Sequence, residues 1–417
     1  MSGRLQAPRG TYDVLPADQP SRRAIEETAR RILEGAGYQR IETPAFEATE
    51  LFARGVGEST DIVQKEMYTF EDGGGRSLTL RPEGTAPVCR AYLEHGMHTL
   101  AQPVKLWYLS SFFRYERAQA GRYRQFWQVG AEAIGSDDPS VDAELILLLH
   151  TLLAELGVRE VRLRLSSLGS AEGRAAYRGA LQDHLRSRAD ELSGEVRDRI
   201  DLNPLRAFDS DHPGTQRVME TAPRLLDHLS PEDAEHFAAV RALLDAAGVP
   251  YEVDPTLVRG LDYYSRTVFE FTSDALGAQS GVGGGGRYDG LIEMLGGPHT
   301  PANGWAAGVE RILLAAEPRP EPKPVVDLYV ASAKDNGRVE AFALATEARR
   351  AGLAVQQELA GRSLKGQLKQ ADRLGARYVA ILRDEGISLK DMESGEQETV
   401  ESVSAAVARA LKGRHPA

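Results

Sequence analysis

Residues Phe112 to Glu132 read FFRYERAQAGRYRQFWQVGAE, and this stretch limits the possible folds more than any other. Both of its ends are apolar and aromatic in strand-like runs, and Ala118-Gln119-Ala120-Gly121 between them has the composition of a turn. The expected element is a hairpin that lifts Arg114, Arg117, Arg122 and Arg124 over one sheet face, with Glu116 as the single carboxylate among them. Guanidinium groups are permanently charged forks that match phosphate and carboxylate. Solvated charges on an exposed hairpin are the other reading, and the stretch by itself does not separate the two.

The bulk numbers narrow the classes. The chain has 417 residues, enough for two to three domains, with 42% hydrophobic and 27% charged residues. Its one cysteine, Cys89, leaves no internal disulfide and no thiolate zinc site, so no protein-held metal is expected. No secretory leader or membrane-length apolar run is seen, so a cytoplasmic location is expected. Net charge is −11, which argues against a nucleic-acid coat over the whole surface. Residues 324–417 carry 14 Lys+Arg against 13 Asp+Glu, and the rest carries 36 against 48. A polyanion would therefore meet local basic patches.

In chain order, a helix is expected over 18–36, with Ile25, Ala29, Ile32 and Leu33 on one face. Pro44 interrupts a strand and points to an edge or an interface. Leu78 to Thr85 is read as a strand running into a turn and a helix, where Glu83 and Thr85 are either ligand positions or a helix cap. A helix over 139–156 and a strand at 163–165 follow, then a helical insertion over 170–250. Leu257 to Tyr264 is read as strand-like, which would send Tyr263 and Tyr264 to opposite faces. Gly281 to Gly290, GVGGGGRYDG, matches a dinucleotide fingerprint by letters but lacks its βαβ setting, so it is read as backbone packed close to a ligand. Gly304 to Arg311 is expected to be a strand that ends in a helix start. A proline-rich linker at 318–324 precedes an α/β unit with a parallel sheet over 325–417. There, Arg362, Lys365, Lys369, Arg373 and Arg377 stripe one helix face, either as a solvated surface or as a phosphate-backbone contact.

Together these pieces resemble class II aminoacyl-tRNA synthetases, and among them the histidyl-tRNA synthetase family. The strand with Pro44 resembles the first class motif, Phe113-Arg114-Tyr115-Glu116 the second, and Gly304 to Arg311 the third. Leu257 to Tyr264 and Gly285 to Leu291 are similar to stretches peculiar to the histidine family. The resemblance covers essentially the whole chain. It implies a catalytic domain built on an antiparallel sheet flanked by helices over 1–169 and 251–317, the helical insertion over 170–250, and an anticodon-binding domain over 325–417. It further implies ATP, Mg²⁺, L-histidine and tRNA(His) as reactants or partners, and a homodimer with Pro44 at its interface. By the same resemblance, Glu83, Thr85, Arg114, Gln128, Glu132, Arg259, Tyr263 and Tyr264 hold histidine. Arg114 and Arg259 act on the α-phosphate, and Arg114, Glu116, Arg122 and Arg311 bind ATP. Gln119, Arg124, Arg362, Lys365 and Lys369 face the tRNA. The chain departs from the family pattern with Ala118 in place of Pro, Ser166 in place of Asn and Trp127 in place of His, so the pocket beside Gln128 is expected to differ. A non-catalytic relative, the regulatory subunit of ATP phosphoribosyltransferase, reuses the fold. Arg114, Arg259, Arg311 and the extra unit at 325–417 separate this chain from it.

Overall fold

The computed structural model describes residues 4–57, 60–117, 119–257, 260–277, 280–317, 326–334 and 336–412. Two compact units divide the chain, Met1–Arg319 and Pro320–Ala417. The linker expected at 318–324 lies outside the described residues.

In the first unit, strand β1 spans Gln39–Arg40, β2 Phe46–Ala48, β3 Tyr68–Glu71, β4 Ser77–Leu80, β5 Val104–Phe113 and β6 Gln125–Ile134. Strand β7 spans Val161–Ser167, β8 Glu252–Val253, β9 Ser265–Ser273, β10 Gly281–Arg287 and β11 Ala302–Gly308. Eight of them form one sheet in the order β1-β5-β6-β11-β10-β9-β7-β8, antiparallel except for the parallel pairs β1–β5 and β7–β8 at its edges. β2, β4 and β3 form a separate antiparallel sheet.

Period-two alternation decides what each face of the large sheet carries. Trp107 of β5 and Val129, Ala131 and Ala133 of β6 point to one face. There they join Ile25, Ala29 and Leu33 of helix Gln19–Gly35 and Leu145, Leu149 and Leu152 of helix Pro139–Glu155. Burying each of these leucines stabilises the fold by about 1.5–3 kcal/mol. Leu106, Tyr108 and Phe112 of β5 point to the other face, beside Val88, Cys89 and Tyr92 of helix Thr85–Glu94. One register thus assigns each side chain of β5 and β6 to one of the two faces. The regular elements between 171 and 246 are helices and 3₁₀ turns joined by coil, starting with Ala171–Ser187 and ending with Pro231–Ala246, with no strand among them.

In the second unit, β12 (Val326–Ser332), β13 (Val355–Gln357), β14 (Ala376–Arg383), β15 (Gly386–Asp391) and β16 (Gln397–Val400) order as β13-β12-β14-β15-β16. The expected parallel sheet is only half of the answer. β13, β12 and β14 are parallel, but β15 and β16 add antiparallel strands through a tight return at Gly386, whose φ is 129°. The basic stripe also changes. The helix is Leu364–Arg373, so Arg362 precedes it and Arg377 belongs to β14, where it lies over the Tyr378 ring at 5.6 Å.

Candidate active site

A cleft of about 760 Å³ opens over the second face of the large sheet. The hairpin supplies much of its wall. β5 and β6 pair in register from Val104↔Ile134 to Phe113↔Gln125, and the connection between them closes through a bridge between Gln119 and Arg122. On β6, Phe126 and Gln128 line the cleft. Trp127 between them does not: its side chain packs against the helix-covered core, with the Arg22 guanidinium 5.9 Å from its ring. Alternation thus turns the Trp127 side chain away from the cleft that Gln128 lines.

The deep end is acidic and hydroxylic. Glu132 is fully buried and accepts from the Thr85 hydroxyl at 2.8 Å, the Tyr288 hydroxyl at 2.6 Å and the Tyr108 hydroxyl at 3.3 Å. Burial pushes its carboxyl up to about 8 against the pull of those hydrogen bonds, and Glu83 adds to the rise. Glu83 accepts from the Thr85 and Ala86 N–H groups at 2.8 and 3.0 Å, the first free donors of helix Thr85–Glu94. Burial raises it too, while the helix donors and Arg114 oppose the rise. Helix cap and cleft wall are thus one arrangement, since Glu83 and Thr85 also line the cavity. Gln128 Oε1 is buried and has no hydrogen-bond partner among the described residues.

Space for this pocket comes from glycines. A Cβ on Gly130 would lie 2.3 Å from Tyr108 Cζ, and one on Gly304 would lie 1.6 Å from Glu132 Oε2. The glycines of β10 divide between two tasks. Gly281, Gly283 and Gly284 line the cleft. A Cβ on Gly285 would come within 1.9 Å of the Gly304 carbonyl, so this glycine is required by the neighbouring strand.

Tyr263 and Tyr264 depart from the strand expectation. The chain turns through 260–264 before β9 begins at Ser265. Both rings are buried in the same cluster, 4.7 Å apart, and Tyr263 meets Tyr288 edge-on at 5.7 Å. Arg259 lies outside the described residues, as does Ala118.

The shallow end is basic. Arg114 donates Nε to the Pro82 carbonyl at 2.9 Å and lies over the Phe126 ring at 5.4 Å. Glu116 sits 3.8 Å from Arg114 and 3.6 Å from Arg122. Arg311 donates to the Gly281 carbonyl and lines the same wall. Its neighbour Glu310 is buried and accepts from the Trp127 N–H at 3.0 Å, from Tyr12 at 2.7 Å and from Arg22 at 2.7 Å. Arg124 is engaged at the base of the loop, over the Tyr115 ring at 3.9 Å and donating to the Glu116 carbonyl. Gln119 is exposed at the tip. In the second unit Lys365 and Lys369 are exposed, and Arg362 pairs with Glu358 at 3.2 Å.

Sequence reasoning missed Tyr108, Tyr288 and Glu310 as site residues. Tyr288 stood inside the singled-out stretch 285–291, and Glu310 beside Arg311. Tyr108 carries no local signal; only the pairing of β5 with Gly130 brings it to Glu132.

This geometry has close counterparts. A family model described as histidyl-tRNA synthetase matches residues 10–312. The histidine–tRNA ligase of Streptomyces coelicolor is 51% identical over 405 residues, covering 95% of this chain and 95% of the relative. That of Geobacillus sp. strain WCH70 is 48% identical over 407 residues, covering 95% and 96%. The crystal structure of apo S. aureus histidyl-tRNA synthetase aligns with a TM-score of 0.81 and 37% identity over 97% of this chain and 99% of that one. A Bacillus halodurans structure named ATP phosphoribosyltransferase regulatory subunit/histidyl-tRNA synthetase shares the fold at a TM-score of 0.65 and 22% identity, covering 91% of this chain and 99% of that one.

Proposed function

The chain belongs to the histidyl-tRNA synthetase family, and from that premise we propose how its cleft performs the reaction of a histidine–tRNA ligase. In the first step the carboxylate of L-histidine attacks the α-phosphorus of ATP, the bond to the bridging oxygen breaks, and pyrophosphate leaves. In the second, a 3′-terminal adenosine hydroxyl of tRNA(His) attacks the acyl carbon, and AMP leaves.

Histidine enters the acidic end. Its ammonium group meets Glu83, Thr85 and the carbonyl of Gln128, and its imidazole meets Glu132, Tyr263 and Tyr264, which offer partners for both ring nitrogens. One observation carries this reading: the buried Oε1 of Gln128, without a hydrogen-bond partner among the described residues, stands in the same cleft as Glu83 and the arginines, an acceptor suited to a cationic donor. ATP lies along the basic end. Arg114 and Arg259 flank the α-phosphate and stabilise the negative charge that builds there in the transition state. Glu116 contacts the adenine, and Arg122 and Arg311 hold the ATP side. No side-chain nucleophile is used; positioning and charge do the work.

Glu270 lines the cleft and would offer Mg²⁺ hard carboxylate oxygens, the donor type this ion accepts when phosphates and water complete its shell. When bound, Mg²⁺ would supply positive charge against the phosphates of ATP.

The remaining assignments follow the same reading. Residues 1–169 and 251–317 form the catalytic domain, 170–250 an inserted helical domain, and 325–417 the anticodon-binding domain. The hairpin tip from Gln119 to Arg124 reaches toward the acceptor end, and Arg362, Lys365 and Lys369 face the anticodon stem. The protein works in the cytoplasm as a homodimer joined near Pro44. Aminoacylation tests the whole reading: the purified chain with ATP, Mg²⁺, histidine and tRNA(His) should yield charged tRNA, whereas a histidine adenylate that never reaches the tRNA would overturn the second step.

A further inference from the structure

Three parts of the 171–246 region converge on one short segment beside the pocket. Asn203 donates Nδ2 to Asp262 Oδ1 at 3.2 Å. Arg174 donates Nη1 to the Tyr264 carbonyl at 2.8 Å. Asp233, near the start of helix Pro231–Ala246, accepts from Arg266 Nε at 3.0 Å, and these two side chains are only 1% and 16% exposed. Alternate residues 262, 264 and 266 are therefore each tied to a different helical element, and Tyr263 and Tyr264 lie within the tied segment.

Arg266 is the least replaceable of these ties. Its φ is 44°, in the left-handed region that a residue with a long side chain adopts only when its surroundings enforce it, at about 1–3 kcal/mol. The surroundings are visible. Arg266 donates its N–H to the Gly169 carbonyl at 2.9 Å, and its own carbonyl accepts from Leu168 at 2.7 Å. Asp233 accepts in turn from the Ser170 N–H and hydroxyl, both at 2.9 Å, and from the Ser230 hydroxyl at 2.9 Å. The point where the chain leaves β7 and the start of the last inserted helix thus share a carboxylate with Arg266.

We propose that Arg266, held by Asp233, is a positioning residue that sets Tyr263 and Tyr264 against the substrate, so that the seating of the inserted helices is expressed as affinity for histidine. This rests on the reading that the cleft binds histidine. Asp233 and Arg266 touch neither substrate; they act through the backbone of 264–266. Losing the pair leaves the ATP end untouched, because Arg114, Glu116 and Arg311 are held by Pro82, Arg122 and Gly281.

The test is ATP–pyrophosphate exchange by the full chain, with histidine and ATP titrated separately, for Arg266→Ala, Asp233→Asn and the double variant. The KM for histidine should rise about tenfold in each single variant, and the double variant should lose clearly less than the product of the two, because both remove the Arg266–Asp233 link although Asp233 also holds Ser170 and Ser230 and Arg266 also pairs with Glu232. The KM for ATP should stay within about twofold of the parent. Arg266→Lys keeps the charge and should recover part of the affinity. Equal rises in both KM values, a fall in kcat alone, or additive losses in the double variant would overturn the proposal. If Arg266→Ala does not fold, the KM split in Asp233→Asn decides alone. The parent separates the two readings: absence of histidine-dependent exchange in the parent refutes histidine binding, whereas an unmoved histidine KM in active variants refutes only the link.

Discussion

Glu132 ties the pocket's chemistry to its stability. Its carboxyl rises from an ordinary value of 4.5 to about 8 because it is buried, so the fold favours the protonated form. Stability from this group is fully present below pH 4.5 and is lost as pH rises towards 8. Glu132→Gln should therefore unfold at a temperature that changes less between pH 5 and pH 8 than the parent's, as thermal denaturation across that range would reveal; an unaltered pH slope would contradict the assignment. Gly130→Ala places a Cβ 2.3 Å from Tyr108 Cζ. The displaced ring should cost about 1–3 kcal/mol by urea denaturation and weaken histidine binding, and a neutral substitution would show that Tyr108 can move freely. Arg259→Ala should abolish adenylate formation while histidine still binds, as calorimetry alongside an exchange assay can establish. Near-normal activation would remove Arg259 from the phosphate site. Glu83, Gln128 and Glu132 could be singled out from the sequence because motifs frame them. Tyr108 could not, since its role exists only once β5 and β6 are in register.

Among the elements, the hairpin was the most legible because its strands, its turn and its charge all agree locally. The segment at 260–264 misled because its adjacent tyrosines look like a strand. The ring cluster of Tyr263, Tyr264 and Tyr288 and the ties to the inserted helices outweigh that propensity. Likewise β15 and β16 escaped notice because their polar, turn-rich residues give weak alternation, and pairing with β14 organises them. On helix Leu364–Arg373, Lys365 and Lys369 remain exposed, whereas Arg362 is drawn to Glu358. Charge reversal at both lysines should lower the rate of tRNA charging and make it less salt-dependent, yet leave pyrophosphate exchange unchanged. Parallel loss of both activities would assign the lysines to folding instead.

At the scale of the molecule, the sequence pattern suggests a body interrupted by helices and followed by a second α/β unit; the chain divides into two compact units, Met1–Arg319 and Pro320–Ala417. No helix among the described residues is long and apolar enough to cross a membrane. What the chain's order conceals is convergence. Residues from 83 to 311 meet around one cleft lined by Glu83, Thr85, Arg114 and Arg311, with Glu132 buried behind Thr85 and Tyr108. The most direct measurement is pyrophosphate exchange into ATP with each amino acid supplied singly. Exchange should appear with histidine and stay at background with the others; no exchange with histidine, or equal exchange with another amino acid, would contradict the account.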